Sequence, residues 1–273
     1  WEVTVAQVRV QKFLSEAGLC SRRAAEEWLR EGRIRINGEV VRTPGTRVDP
    51  SQDQVEVDGR PVQPDFASKI MLMLNKPQAF VCTAKDPQQR RTVFELLPRG
   101  LPRVISVGRL DYASEGLLLF TNDGDLANAM MHPSGGLLRE YEVKVKGHPT
   151  RREAQKVARG FEEQGHTLAP VDVSFLRRTR KNCWYRILLS EGRNREVRRI
   201  FEHAEIDVLR LIRTGYGPIE LGDLRTGEVR ELGSDEIKRL REACGMPTSQ
   251  RRKIKVGSEE PGRAVLRHLQ PRL

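Results

Sequence analysis

The chain has little of what metal, disulfide or redox chemistry is built from. Its four cysteines, Cys20, Cys82, Cys183 and Cys244, lie far apart, and none forms the CxxC or CxxxH pair of a zinc site. In a chain of 273 residues they are too sparse for a disulfide framework, so reduced, mostly buried thiols in a reducing compartment are expected. The five histidines, His132, His148, His166, His203 and His268, are scattered, and HExxH, GxGxxG after a strand and GxxxxGK[ST] are all missing. No motif therefore asks for a metal, a bound nucleotide or a hydride carrier, and no cofactor is expected. No apolar run approaches the roughly 18 residues of a membrane span, so a soluble, cytoplasmic protein without a membrane partner is expected. No signal peptide is visible, and the chain opens on Trp1 rather than Met, as expected where the natural start is missing. No repeat of fixed period is found.

Positive charge, by contrast, is plentiful. Lys and Arg outnumber Asp and Glu by 48 to 37, for a net charge of +11. The excess is clustered: Arg177 to Arg213 carries eleven basic residues against five acids, and the stretch from Gln250 onward seven against two. Clustered positive charge points to a polyanion, nucleic acid ahead of a membrane surface. Charge alone says nothing of sequence or chemistry.

The first sixty residues form a small module. Val10, Phe13, Leu14 and Ala17 share one face of a short helix that Gly18 can end. Ser21 offers an N-cap to a second helix with Ala25, Trp28 and Leu29 on its apolar face and Gly32 as its stop. Ile34 and Ile36 then alternate into Asn37-Gly38 and Val40, the signal of a two-residue hairpin. The run VRVQKFLSEAGLCSRRAAEEWLREGRIRINGEVV resembles the S4 RNA-binding domain. That resemblance implies that Arg9, Lys12, Ser21, Arg22, Arg23 and Arg33 face structured RNA, mainly its phosphates and shape. The domain is expected over residues 8–62, with Val55 and Val57 in its last strand and a linker at 63–68.

Residues 69–245 mix strands and helices. Ile70 to Leu74 reads as a buried strand stopped at Asn75-Lys76-Pro77, and Val104 to Val107 as a second short strand. YEVKVK puts Tyr141, Val143 and Val145 on one face of another. Further strands are expected at Val171 to Phe175, Trp184 to Leu189, Val208 to Ile212, and around Ile219 and Val229. Helices are expected at Leu126 to Met131, Arg151 to Arg159, Arg195 to Glu202 and Asp235 to Ala243. Hairpin-length turns argue for an α+β fold, a small RNA-binding domain followed by a domain with a largely antiparallel mixed sheet. Residues 246–273, with RRKIK and little apolar periodicity, read as a disordered basic tail, equally fit to contact RNA or merely to solubilise.

The stretch VGRLDYASEGLLLFTNDGD, Val107 to Asp125, organises this domain. It sets Arg109 and Asp111 just before an apolar run, Leu117 to Phe120. Taken alone, Asp111 is a turn cap, a surface ion pair with Arg109, or a catalytic carboxylate. With LNKP upstream and REYEVKV and EGRNREVRRIFEHAEIDVLRLIR downstream, the stretch resembles the RsuA/RluB class of pseudouridine synthases. The likeness spans about Lys69 to Leu240. It implies that Asp111 is the catalytic residue, that Tyr141 stacks on the base, and that Arg198 pairs with the carboxylate. It further implies that Leu211 packs beside the pocket, and that Arg109, Arg193, Arg195 and Arg199 serve RNA. The bland readings are a core tyrosine and solvated arginines.

Isomerising uridine breaks the N1–C1′ bond, turns the base and rejoins it through C5, with no redox change. An ionised carboxylate can attack C1′ or take the 2′ proton; at the edge of a core it needs a guanidinium to stay ionised. An aromatic ring can hold a flipped-out base, and a phenol can help remove the C5 proton. Two residues depart from the family pattern: Glu196 stands where Gln is usual, and Ala79 where Gly is common. The LLLFTNDGDLANAMMHPS stretch resembles the large-subunit rRNA enzymes more than the small-subunit ones. The expected activity is uridine isomerisation in ribosomal RNA by a monomer, with ribosomal RNA or precursor particles as partner. The other readings are a small-subunit rRNA synthase or a catalytically silent rRNA-binding assembly factor.

Overall fold

A computed structural model describes residues 7–63, 69–132 and 135–248; most of the expected linker at 63–68 and of the tail at 246–273 lies outside them. The small N-terminal unit starts with β1 (Val8–Arg9), α1 (Val10–Glu16) and α2 (Arg22–Glu31). Ser21 caps α2 by accepting a hydrogen bond from the Ala24 amide at 3.0 Å, and Gly32 ends it with φ of 73°. Strands β2 (Ile34–Ile36), β3 (Glu39–Val41), β4 (Arg47–Val48), β5 (Val55–Val57) and β6 (Arg60–Pro61) follow. Asn37 and Gly38 both have positive φ, 52° and 85°, the turn that matches the twist of a two-residue hairpin. The sheet runs β3-β2-β5-β6, so β6 extends it beyond the strand expected to be last, and β1 pairs with β4. Val10, Phe13, Leu14, Ala25, Leu29, Ile34, Val48 and Val55 form this unit's own core.

The larger unit is one mixed sheet with helices. Its elements are β7 (Met71–Lys76), a 3-10 turn (Val93–Leu96), β8 (Ile105–Val107), β9 (Glu115–Thr121), α3 (Gly124–Met131), β10 (Arg139–Lys146) and α4 (Arg151–Arg159). Then come β11 (Phe161–Glu163), β12 (His166–Leu168), β13 (Asp172–Arg178), β14 (Asn182–Leu189), α5 (Glu196–His203), β15 (Val208–Tyr216), β16 (Ile219–Glu220), β17 (Val229–Glu231) and α6 (Ser234–Ala243). The strand order is β13-β14-β10-β15-β9-β7-β17, with β8 on β9 and β16 on β15. β15 and β9 pair in parallel, while the sheet's other neighbouring strands run antiparallel, in keeping with the α+β expectation. The β11–β12 hairpin has no counterpart among the expected elements, because FEEQGHTL lacks apolar alternation.

Two cores flank the sheet. One contains Leu72, Leu74, Leu118, Phe120, Tyr141, Val143 and Val145 with Val157 of α4 and Ile200 and Phe201 of α5. The other contains Met71, Met73, Leu117 and Leu119 with Leu126 and Met130 of α3 and Leu240 of α6. Successive residues of β7 and β9 therefore feed opposite cores, which is why MLML and LLLF are continuously apolar rather than alternating.

The register aligns one transverse row of residues. Lys76 of β7 lies opposite Gly116 of β9, Gly116 beside Arg213 of β15, and Arg213 opposite Tyr141 of β10. Gly116 is required there. Its φ is +100°, and a Cβ would fall 2.2 Å from the Arg213 carbonyl oxygen.

Candidate active site

The loop from Gly108 to Ser114 connects β8 to β9 and carries Asp111 over the end of this row. Each carbonyl from Leu110 to Ser114 has a donor. The Cys82 thiol donates to Leu110 at 3.3 Å, and the Ala79 amide to Tyr112 at 2.9 Å. Lys76 Nζ reaches Asp111 at 3.1 Å and Ser114 at 2.8 Å, and also Pro77 at 3.0 Å. Arg198 Nη2 donates to Ala113 at 3.1 Å. Two cations thus hold the backbone on either side of Asp111, and the loop is tied at residues, not left to solvent.

Lys76 is completely buried. Burial pulls its ammonium below the usual lysine value, while nearby Cys82, Glu115 and Asp111 act in the opposite direction. The Asn75-Lys76-Pro77 pattern puts Lys76 in the turn after a strand, but β7 runs through it. The available signal was a lysine directly abutting an apolar run and followed by proline, which ends the strand and leaves the ammonium pointing back over the loop.

Asp111 is half-buried, and its carboxylate makes no hydrogen bond or ion pair among the described residues. It lines a cavity of about 630 Å³ together with Tyr141, Leu211, Arg109, Arg193 and Arg195, all of them expected site residues. Tyr141 and Leu211 are 8% and 5% exposed, so they are both core and cavity wall. Arg139 and Arg213, which the sequence reading assigned no role, line it too. The strand pattern hides them: each is an arginine at a position that alternation assigns to the core.

Arg198 reaches the Asp111 loop without making the pair that the resemblance implied. It forms no ion pair with Asp111, and neither does Arg109. Arg198 instead holds the Ala113 carbonyl at 3.1 Å and the Val208 carbonyl at 3.4 Å. Burial lowers the Arg198 guanidinium from its ordinary value, Arg195 adds to that, and Asp111 opposes it. Arg199 turns away, paired with Glu163 and donating to the Asn194 carbonyl at 3.2 Å. Arg193 contacts Glu191 at 2.6 Å.

Glu196, at the first position of α5, is buried and accepts a hydrogen bond from the Arg193 amide at 2.8 Å. Burial pushes its carboxyl above the usual glutamate value against that hydrogen bond. Ala79 has φ of +65°, a left-handed conformation natural to glycine.

In the small unit Arg9, Lys12 and Arg22 line a second, smaller hollow with Arg47, while Arg22 and Arg23 are exposed on α2. Three of the residues expected to face RNA are engaged within the protein. Lys12 reaches Asp125 at 2.7 Å, Arg33 binds Asp58 at 2.6 Å, and the Ser21 hydroxyl caps α2.

The loop thus sets an unbonded carboxylate beside a buried tyrosine in a cavity lined by arginines. The family described as RNA pseudouridylate synthase matches residues 70–203, and the S4 domain family matches residues 8–53. An RNA pseudouridine synthase of Aquifex aeolicus is 42% identical over 241 residues, covering 88% of this chain and 96% of its own. The ribosomal large subunit pseudouridine synthase B of Bacillus subtilis is 40% identical over 236 residues, covering 85% and 95%. The chain belongs to the RNA pseudouridine synthase family. A solved pseudouridylate synthase, 26% identical, superposes with a TM-score of 0.59 over 85% of this chain and 99% of its own. This synthase thus carries its S4 domain ahead of the catalytic sheet, and the matched catalytic segment runs from the start of β7 to the end of α5.

Proposed function

We propose that this synthase isomerises a uridine of large-subunit ribosomal RNA, with Asp111 as the catalytic carboxylate. The observation that carries the assignment of Asp111 is its setting: every neighbouring carbonyl is anchored while the carboxylate itself is left unbonded in the cavity. A loop tied in this way holds the reactive group without reorganisation when substrate arrives. The relative from Bacillus subtilis supports the choice of RNA.

The flipped uridine enters with its base against Tyr141. The carboxylate acts at the ribose, either on C1′ or on the 2′ proton, and the N1–C1′ bond breaks. The uracil turns, C5 bonds to C1′, and the C5 proton departs to base or water, so that atoms and charge balance without a cofactor. Arg198 serves as a positioning residue through Ala113 and as a positive charge near the carboxylate. Arg109, Arg193 and Arg195 at the cavity, and Arg9, Arg22 and Arg23 on the S4 domain, supply the phosphate contacts. The protein acts as a monomer in the cytoplasm.

The test is release of tritium from C5-labelled uridine in large-subunit rRNA. Asp111→Asn abolishes release while RNA binding stays within about threefold, since phosphate contacts carry affinity. Turnover by the Asn variant at the wild-type rate would sink the assignment.

A further inference from the structure

Arg213 is a buried cation whose hydrogen bonding is largely unmet. It is 3% exposed. Its Nε donates to the Leu117 carbonyl at 2.7 Å, Nη2 is enclosed with no acceptor, and no carboxylate lies within ion-pair distance among the described residues. A guanidinium carries five N–H donors, and a charge taken out of water with one of them engaged is costly. Other arginines of this sheet show that the fold can do better. Arg139 donates to the carbonyls of Leu137 at 2.9 Å and Ser190 at 2.6 Å and to the Tyr216 hydroxyl at 3.3 Å; Arg210 holds both oxygens of Glu115. Among the described arginines Arg198 also leaves one enclosed donor, Nε, without an acceptor, but Arg213 is the one that lines the cavity with Tyr141, its partner across the β10–β15 ladder.

Building on the proposed role of Asp111 and Tyr141, we propose that Arg213 is a further catalytic residue that binds an exocyclic oxygen of the uracil held against Tyr141. When N1–C1′ breaks, the bonding electron pair stays on the base, and its charge spreads from N1 onto O2 and O4. A preorganised guanidinium in a low-dielectric cavity stabilises that charge as it develops and is matched less well by the neutral base. Both routes open to Asp111 generate the same uracil anion, so the role of Arg213 is common to them. The Tyr216 ring, 5.2 Å from the Arg213 guanidinium and 5.1 Å from that of Arg139, holds the group in place. When C5 bonds to C1′ the pair is consumed, and the site returns to its starting charge.

The experiment compares large-subunit rRNA transcripts made with uridine and with 5-fluorouridine, whose ring carries the departing charge more easily. Single-turnover rates at saturating RNA follow the C–C-linked nucleoside after digestion. Arg213→Gln slows uridine conversion by about 10²–10³-fold with RNA affinity within about threefold, and the loss shrinks to about tenfold or less on the fluorinated transcript. Arg213→Lys, which keeps the charge, shows a smaller loss with the same shrinkage, and carries the test if the Gln variant unfolds. Equal losses on the two transcripts, or a loss confined to affinity, overturn the proposal and leave Arg213 as a support for Leu117. Wild-type turnover of the uridine transcript is the control: its absence overturns the reading of the site and the proposal together, whereas its presence with unaffected variants overturns the proposal alone.

Discussion

Lys76 Nζ donates to the main-chain carbonyl of Asp111, 3.1 Å away, from a side chain with no solvent exposure. The link joins the last residue of β7 to the loop thirty-five positions later, and a second bond to Ser114 closes the far side of that loop. Position, rather than charge at the reacting atoms, is what this lysine supplies.

Replacing Lys76 with Met keeps most of the volume and removes the donor. The carbonyls of Pro77, Asp111 and Ser114 lose the ammonium, Asp111 keeping the Ser114 amide at 3.0 Å, the loop relaxes, and kcat falls by about 10²-fold, the scale on which small misplacements act. Binding of rRNA, measured by filter retention, stays near wild type. A Met variant with unchanged kcat would show that the loop is held without it.

Ala79 adopts a backbone conformation that costs an L-residue roughly 1–2 kcal/mol, while its amide donates to Tyr112 in the Asp111 loop. Ala79→Gly removes that strain at some cost in unfolded-state entropy. A net stabilisation of about 1 kcal/mol is expected, read as a higher urea midpoint at unchanged slope; a lower midpoint would contradict it.

Glu196 gives a pH dependence whose sign follows from its burial. Its folded carboxyl binds a proton more readily than the unfolded one, so the folded state holds more protons between the two values and stability falls as pH rises through that window. Glu196→Gln removes this slope and is expected to stabilise the protein above the window by on the order of 1 kcal/mol. Thermal unfolding from pH 4 to 8 measures both, and parallel profiles for the two proteins would refute the account.

Gly116→Ala forces a Cβ into the main chain of Arg213, where β9 and β15 meet in parallel. Neither strand can yield, since both are buried on two faces at this level. The expected cost exceeds about 3 kcal/mol, or an insoluble product; chemical denaturation of a soluble variant within about 1 kcal/mol of wild type would show that the sheet adjusts.

Much of this architecture could be read locally. Asn37-Gly38 set a hairpin because both positions must take positive φ, and Ser21 and Gly32 bounded a helix because one caps amides and the other tolerates the left-handed turn. YEVKVK announced a strand by period, whereas Asp111, Tyr141 and Leu211 were singled out only by the resemblance of several motifs spread from Leu74 to Arg213. The hairpin, helix and strand signals each lie within a few neighbouring residues, where backbone sterics and side-chain periodicity act.

The burial of Lys76, the unmet donors of Arg213, the turn of Arg198 from carboxylate to carbonyl, and the need for glycine at 116 came from contacts between distant segments. Arg213 meets Leu117 across ninety-six positions and Arg198 meets Ala113 across eighty-five. A charged residue in a sequence looks the same whether water or a protein carbonyl will satisfy it. Only the register of the folded sheet settles which, because it decides what is left in reach once solvent has been excluded.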